Sequence, residues 1–462
     1  MPMRKQRPPV VTVLGHVDHG KTTLLDYIRK SGVAKKEAGG ITQSIGASLV
    51  KTQEGKTITF IDTPGHAAFS KMRSRGAKVA DISILVVAAD DGVKPQTKEA
   101  LKYITEVNTP FVVALTKVDL PSSEVAKTKG ELESCGVLFE GRGGSTPVVE
   151  VSAKLGTGID DLLETISLMA EVADISGDVN APVEAYVIET LKDKSGVSVS
   201  LVVKDGKLKV TDTIYCDGLK AKVRGLFDFE GTSVKEILPG YPCRLLGFSE
   251  LPAVGSQVSS QEMTKKTLKI ETGSGLATEQ SLPIILKAAN SGALEAVSTN
   301  IPQGVTVVAK SVGEVNQNDV FLAKTSNADI YIFESNVSSS VKKLADTEGV
   351  KIMSFRIIYE LFDALEKVIK DGKEKILGKA QVIASFPYEK RKVAGCRLTE
   401  GVFSKTSKLR LLRDKDTVGN VRVVSLKKGK LDVNLVSQGE EFGLVFEPQL
   451  EFKIGDVLLS VQ

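Results

Sequence analysis

Histidine occurs three times in the 462 residues and cysteine four times, and the richest apolar run, Ile82 to Ala89, is the length of a strand. A membrane span needs roughly 18 consecutive apolar residues, so no such span is expected. Cys135, Cys216, Cys243 and Cys396 are far apart and lack metal-ligand spacing. Reduced thiols in a cytoplasm are therefore expected, not a disulfide frame or a cysteine zinc site. The basic start, Met1 to Arg7, runs through Pro8-Pro9 straight into an apolar strand, a pattern that argues against a signal peptide. The length predicts about three domains, and 42% hydrophobic residues suffices for their cores.

The three histidines are all in two short segments, Gly15-His-Val-Asp-His-Gly-Lys-Thr22 and Asp62-Thr-Pro-Gly-His66. The first fits G-x-x-x-x-G-K-[ST], in which successive backbone N–H groups face a pyrophosphate while a lysine and a hydroxyl reach the outer phosphates and Mg²⁺. It follows a buried-strand pattern, Val10 to Leu14, and precedes a helical one, Thr22 to Lys30. Strand, loop and helix N-terminus then aim at one anion. A zinc site built on the histidines is the rival reading. It is disfavoured because His16 and His19 fall in the loop a phosphate would occupy and no cysteine accompanies them.

Beyond this loop, apolar strands at Thr57 to Ile61, Ile82 to Ala88, Phe111 to Leu115 and Val148 to Val151 alternate with helices at Thr97 to Thr105, Ser122 to Ser134 and Gly158 to Ala170. Such alternation predicts a parallel sheet covered on both faces, with ligand loops at the strand C-terminal ends. Asp62, Thr116-Lys-Val-Asp119 and Ser152-Ala-Lys154 all fall at those ends. Asp119 can accept hydrogen bonds from guanine N1–H and the exocyclic amine, whereas adenine would face it with a lone pair. The Lys117 stem can lie along the base, and the Ala153 N–H can donate to guanine O6. Thr22 and Thr42 are candidates to offer hydroxyls to Mg²⁺, with Asp62 acting through water; the Gly65 N–H would reach the γ-phosphate, and His66 would orient the attacking water.

These strings, together with Gly39-Gly-Ile-Thr-Gln43, Ile45-Gly-Ala47 and Met72-Arg-Ser-Arg-Gly-Ala77, resemble the bacterial translation initiation factor 2 family, here without its long amino-terminal extension. The resemblance implies a multidomain α/β and β architecture. A P-loop GTPase domain (1–174) would be followed by a β-barrel (183–260), an α/β domain (265–352), a connecting helix (353–377) and a C-terminal β-barrel (378–462). It implies a nucleotide site of Gly15, His16, Val17, Asp18, His19, Gly20, Lys21, Thr22, Thr23, Thr42, Asp62, Thr63, Pro64, Gly65, Thr116, Lys117, Val118, Asp119, Ser152, Ala153 and Lys154, with His66 catalytic. GTP or GDP and Mg²⁺ would be its cofactors, and Asp18 would hold a monovalent K⁺ or Na⁺. By the same resemblance 39–42 closes on the γ-phosphate, and Val17 and Ile41 form an apolar gate beside His66. Two departures stand out: Ser44 where the family has His, and Thr116 where it has Asn.

Ile175 to Pro182 is a polar linker, and strand alternation follows at Val183 to Glu189, Ser198 to Lys204, Lys207 to Val210 and Thr213 to Cys216. From Leu282 the pattern is mixed α/β, with strands at Leu282 to Ala288, Thr306 to Lys310 and Ala328 to Phe333 and helices at Gly292 to Thr299 and Ser338 to Glu348. Ser354 to Lys375 then carries Ile357, Ile358, Leu361, Leu365, Val368 and Ile369 at helical spacing. It reads either as a rod of ~30 Å or as a core helix at the edge of the preceding domain.

Residues 378–462 hold 15 Lys and Arg against 10 Asp and Glu, leaving −1 for the rest of the chain. A small excess of this kind fits a phosphate-rich partner or simply a solvated basic barrel. The resemblance favours the first, an end-binding site for initiator formylmethionyl-tRNA, with Gly395, Cys396, Lys427, Lys428, Glu441, Phe442 and Gly443 carrying it and the Cys396 thiol in an apolar wall. Departures from the family occur at Lys428, Gly429 and Phe442. The expectation is a monomeric, ribosome-associated initiation GTPase that places initiator tRNA on the small subunit and joins the subunits, with hydrolysis as a release switch. The alternatives are an elongation-type tRNA carrier and a non-hydrolysing, nucleotide-dependent RNA-binding module.

Overall fold

The computed structural model describes residues 4–30, 46–65, 67–193, 196–262, 281–372, 376–388, 391–413, 416–429 and 431–461. The chain divides into two compact units, 1–362 and 363–462.

The first unit begins with a six-stranded sheet in the order Gly46–Lys51, Thr57–Asp62, Val10–Gly15, Ile82–Ala88, Phe111–Thr116 and Val148–Glu150. Only the Gly46–Lys51 edge pairs antiparallel; the other neighbours are parallel. The central strands Val10–Gly15 and Ile82–Ala88 are buried at every position, as parallel strands covered on both faces must be. One face packs under Lys21–Arg29 and Ile159–Val172, through Leu24, Leu25, Leu162 and Ile166. The other packs under Ser70–Val79, Pro95–Val107 and Val125–Ser134, through Ala77, Ala100, Ile104 and Leu132.

Next comes an eight-stranded antiparallel sheet, built from Glu184–Asp193 to Gln257–Ser259, which wraps a core including Val187, Val199, Leu201, Ile214 and Leu245. A four-stranded parallel sheet follows, ordered Val305–Val312, Leu282–Ala288, Asp329–Phe333 and Ile352–Phe355, with helices Ser291–Thr299, Gln317–Thr325 and Ser339–Glu348 between its strands. Asn290 and Ser338 cap the first and third of these helices with side-chain acceptors.

All three modules meet around the helix Ser70–Val79. Arg75 and Lys71 both reach Glu295, and Asn300 Nδ2 donates to the Ala68 carbonyl at 3.3 Å. Beside them Glu189 Oε1 accepts the backbone N–H groups of Thr190 at 2.8 Å and Gly292 at 3.2 Å. Its Oε2 is buried with no hydrogen-bond partner among the described residues. Burial pushes the Glu189 carboxyl up to about 7.

The expected helix starts later than Ser354. Ile352–Phe355 is the fourth strand of the parallel sheet, and the helix occupies Ile358–Gly372, 15 residues. Ser354 and Phe355 therefore belong to the sheet; Phe355 stacks on Tyr331 at 6.1 Å. Ile358, Leu361 and Leu365 are fully buried.

In the second unit Ile376–Tyr388, Val457–Val461, Lys408–Arg413, Asp416–Lys428, Glu441–Glu447 and Arg391–Ser404 form a barrel, closed by pairing of the last strand with the first. Ala394, Cys396 and Leu398 alternate into its core with Leu409, Leu426 and Phe442.

Candidate functional site

The phosphate-binding loop of the expected site is shaped by backbone that side chains resist. Gly15 has φ 150°, and a Cβ there would collide with the Val86 carbonyl. Gly20 at φ 86° turns the chain into the helix that begins at Lys21, and Asp18 also has positive φ. Thr22 and Thr23 follow Lys21 in that first turn. The buried Lys21 Nζ lies across the loop and donates to the His16 carbonyl. Burial lowers the Lys21 ammonium to about 8, Asp62 and Asp18 opposing the shift and Arg73 adding to it.

Asp62 ends the adjacent strand, almost fully buried, 3.7 Å from Arg29. Burial raises its carboxyl to about 6, although Arg29 and Lys21 pull it down. Its Oδ1 has no hydrogen-bond partner among the described residues. A buried carboxylate oxygen left without a partner near Lys21 is an acceptor suited to a hard divalent cation or its water shell, so Asp62 fits Mg²⁺. Thr63 donates to the Val13 carbonyl at 2.8 Å, which fastens the start of Thr63-Pro64-Gly65 to the central strand. Gly65 faces the loop so closely that a Cβ would meet Lys21 Nζ and come within 3.3 Å of Val17 N.

The other two strand ends converge on this loop. The Thr116 hydroxyl donates to the His19 carbonyl at 2.6 Å. Lys117 holds positive φ and places its ammonium 3.6 Å from Asp90, while Val118 packs into the apolar layer beneath. Ser152 Oγ donates to Asp119 Oδ1 at 2.7 Å and accepts the Leu155 N–H at 3.2 Å; Ala153 packs on the core and Lys154 follows it. The expected segments thus stand together at one edge of the sheet. Thr42 and His66, with Ile41 and the rest of 39–42, lie outside the described residues.

His19 Nε2 is 3.4 Å from Asp91, and His16 lies edge-on to it with ring centroids 5.0 Å apart. Burial lowers the His19 imidazole to about 4, with His16 adding to the shift, so it is neutral at physiological pH. His16, His19 and Asp91 bring one ligand atom each within 4.8 Å of one another. Asp91 already pairs with Lys94 at 2.7 Å, and the described residues supply no fourth ligand of the kind a closed zinc site has.

Three neighbours of the site were not visible as motifs. Gln96 Oε1 accepts the Val17 N–H at 3.0 Å. Arg29 reaches Ser48 at 2.7 Å besides Asp62. Arg73, fully buried, donates to the carbonyls of Pro64 and Gly65, each at 3.2 Å, and to Glu99 at 2.6 Å. The string Met72-Arg-Ser-Arg-Gly-Ala77 contained that signal without a geometry to explain it.

On the terminal barrel a hollow of about 910 Å³ is bordered by Gly395, Cys396, Lys427, Glu441, Phe442 and Gly443. Its exposed apolar wall is supplied by Ile383, Phe386 and Val424. Here the expectation for the thiol needs correcting: strand alternation turns the Cys396 side chain into the barrel core, where it is fully buried, and Phe442 packs there on Phe403 at 5.6 Å. Burial pushes the Cys396 thiol up to about 12. Lys428 does not border the hollow; it pairs with Glu440 at 2.6 Å, and Glu441 pairs with Arg397.

Residues 6–172 match the family model of the elongation factor Tu GTP binding domain, 182–261 that of elongation factor G domain 2, and 256–366 that of translation-initiation factor 2. Translation initiation factor IF-2 of Thermus thermophilus is 39% identical over 99% of this chain and 87% of its own length. That of Persephonella marina is 40% identical over 98% of the chain and 55% of its own length. Among solved structures, GDP-bound aIF5B from Aeropyrum pernix aligns with 99% of this chain and 92% of its own at 26% identity and a TM-score of 0.49. The extent of the match to the Thermus protein shows that the chain belongs to the translation initiation factor IF-2 family of translational GTPases.

Proposed function

We propose that the loops following Val10–Gly15, Thr57–Asp62, Phe111–Thr116 and Val148–Glu150 form the GTP site. The observation that carries this reading is the pair of short bonds, Thr116 to His19, which ties the base-reading strand end to the phosphate loop, and Ser152 to Asp119, which joins the two base-reading loops. Gly15 to Thr23 cradle the phosphates. Thr22 and Thr42, with Asp62 through water, would hold Mg²⁺, which would neutralise charge on the phosphates. Asp18 faces a monovalent cation. Asp119, with Lys117 and the Ala153 N–H, selects guanine, and Ser152 pins the Asp119 carboxylate in place. Gly65 and His66 meet the γ-phosphate and the attacking water.

In its cellular setting this GTPase acts in the cytoplasm as a monomer with the ribosomal subunits and initiator formylmethionyl-tRNA. The hollow on the basic terminal barrel takes the aminoacyl end against the wall of Ile383, Phe386 and Val424. Among the described residues no helix is long and apolar enough to cross a membrane.

Calorimetric titration tests the nucleotide site. GDP and GTP are expected to bind with Mg²⁺ and ATP not, and Asp119→Asn is expected to move preference towards xanthine nucleotides. Equal affinity of the parent for ATP and GTP would overturn the assignment.

A further inference from the structure

Arg73 is a charged side chain with no exposed surface, set behind Thr63-Pro64-Gly65 and not in front of it. Its Nη1 donates to two consecutive carbonyls, Pro64 and Gly65, each at 3.2 Å. On its other side Nη2 donates to Glu99 at 2.6 Å, and Glu99 is itself held by the Tyr103 hydroxyl at 2.8 Å. Glu99 and Tyr103 lie one turn apart on Pro95–Val107, so the guanidinium bridges two helices while gripping the segment between strand and helix. The close approach of Gly76 to Thr63 and Thr12 seats the Ser70–Val79 helix against this segment.

In the planar trans Pro64–Gly65 peptide the C=O and N–H point in opposite directions. With the Pro64 carbonyl held by Arg73, the Gly65 N–H is turned the other way, and the Gly65 face nearest the phosphate loop is the one that meets Lys21 and Val17. We propose that Arg73 is a positioning residue for the γ-phosphate: braced by Glu99, it fixes from behind the peptide whose N–H distinguishes GTP from GDP. This rests on the nucleotide site proposed above. The guanidinium suits the task because its planar fork satisfies two carbonyls and a carboxylate at once, which a lysine ammonium cannot do in the same geometry.

The test is calorimetric titration of the full chain with GDP and with a non-hydrolysable GTP analogue, for the parent, Arg73→Lys and Glu99→Gln. Arg73→Lys is expected to lose about tenfold in affinity for the analogue, the scale of one hydrogen bond to a charged group, and to keep GDP affinity within about twofold. Glu99→Gln alters a partly exposed residue and tests the brace if Arg73→Lys does not fold; a fall of about threefold in the analogue-to-GDP affinity ratio is expected. Parallel losses for GDP and analogue, or no change in either variant, would overturn the inference while leaving the nucleotide site standing. A parent that binds neither nucleotide would overturn both.

Discussion

The Thr116 hydroxyl donates to the backbone carbonyl of His19 at 2.6 Å, so the strand that leads to Asp119 is tied to the middle of the phosphate loop. A second, longer bond of 3.4 Å reaches the Val87 carbonyl on the neighbouring strand. The threonine hydroxyl thereby ties the two loops together. Thr116→Val keeps the shape and removes the donor, leaving the buried His19 carbonyl short of a partner. GDP affinity is expected to fall about tenfold with the preference for guanine over adenine intact. Loss of base selectivity instead would place Thr116 at the base.

Lys21 is expected to make nucleotide binding proton-linked. In the free site burial holds its ammonium near 8, and phosphate oxygens beside Nζ would raise it. Binding above pH 8 is therefore expected to take up a proton, with GDP affinity declining as pH rises through that value. Calorimetry at pH 8.5 in buffers of different ionisation enthalpy reads this directly. An apparent enthalpy independent of the buffer would show that Lys21 is charged before the nucleotide arrives.

Glu189 makes stability depend on pH at the junction of the three modules. Its folded value of about 7 lies above the ordinary 4.5, so the folded chain binds more protons than the unfolded chain between those values. Its contribution is full below about 4.5 and is lost as pH rises through about 7, a change on the order of 3 kcal/mol. Glu189→Gln retains an acceptor for the Thr190 and Gly292 N–H groups and removes the titration. Its Tm advantage over the parent is expected to be larger at pH 8 than at pH 5. A gap of equal size at both would contradict the burial argument.

The barrel hollow separates folding from recognition. Cys396→Asp puts a carboxylate into the core and is expected to lower Tm of the terminal unit steeply, because an unpaired buried charge is costly. Phe386→Asp changes a side chain 56% exposed and is expected to leave Tm within a few degrees while weakening formylmethionyl-tRNA more than uncharged tRNA. Thermal unfolding and filter binding on both variants check this. Selective loss of tRNA by Cys396→Asp at unchanged Tm would return the thiol to the binding wall.

Much of the first sheet was legible because its strands are continuous apolar runs and its site motifs follow their ends. The helix Ser70–Val79 was not, since its buried face is made of Met72, Arg73, Gly76, Ala77 and Val79, with a charged residue and a glycine where periodicity looks for apolar groups. Gln317–Thr325 buries only Val320 and Ala323 and leaves Phe321 and Leu322 exposed, so it has little amphipathic signal. The helical reading from Ser354 takes in the last two residues of the strand Ile352–Phe355, because the apolar repeat begins right after them. In the barrel, the alternation Ala394, Cys396, Leu398 contained the inward direction of the thiol. Arg73 shows the opposite limit: its role depends on carbonyls and on Glu99, 26 positions away, which no local pattern connects.

The proposed function rests on His66 as the residue that positions the water attacking GTP. The most direct measurement is ribosome-stimulated GTP turnover by the parent and by His66→Ala, with GTP affinity measured alongside. His66→Ala is expected to keep affinity within a few-fold of the parent and to slow turnover by at least ~100-fold, the lower scale for losing a positioned catalytic group. Turnover at the parental rate would contradict it.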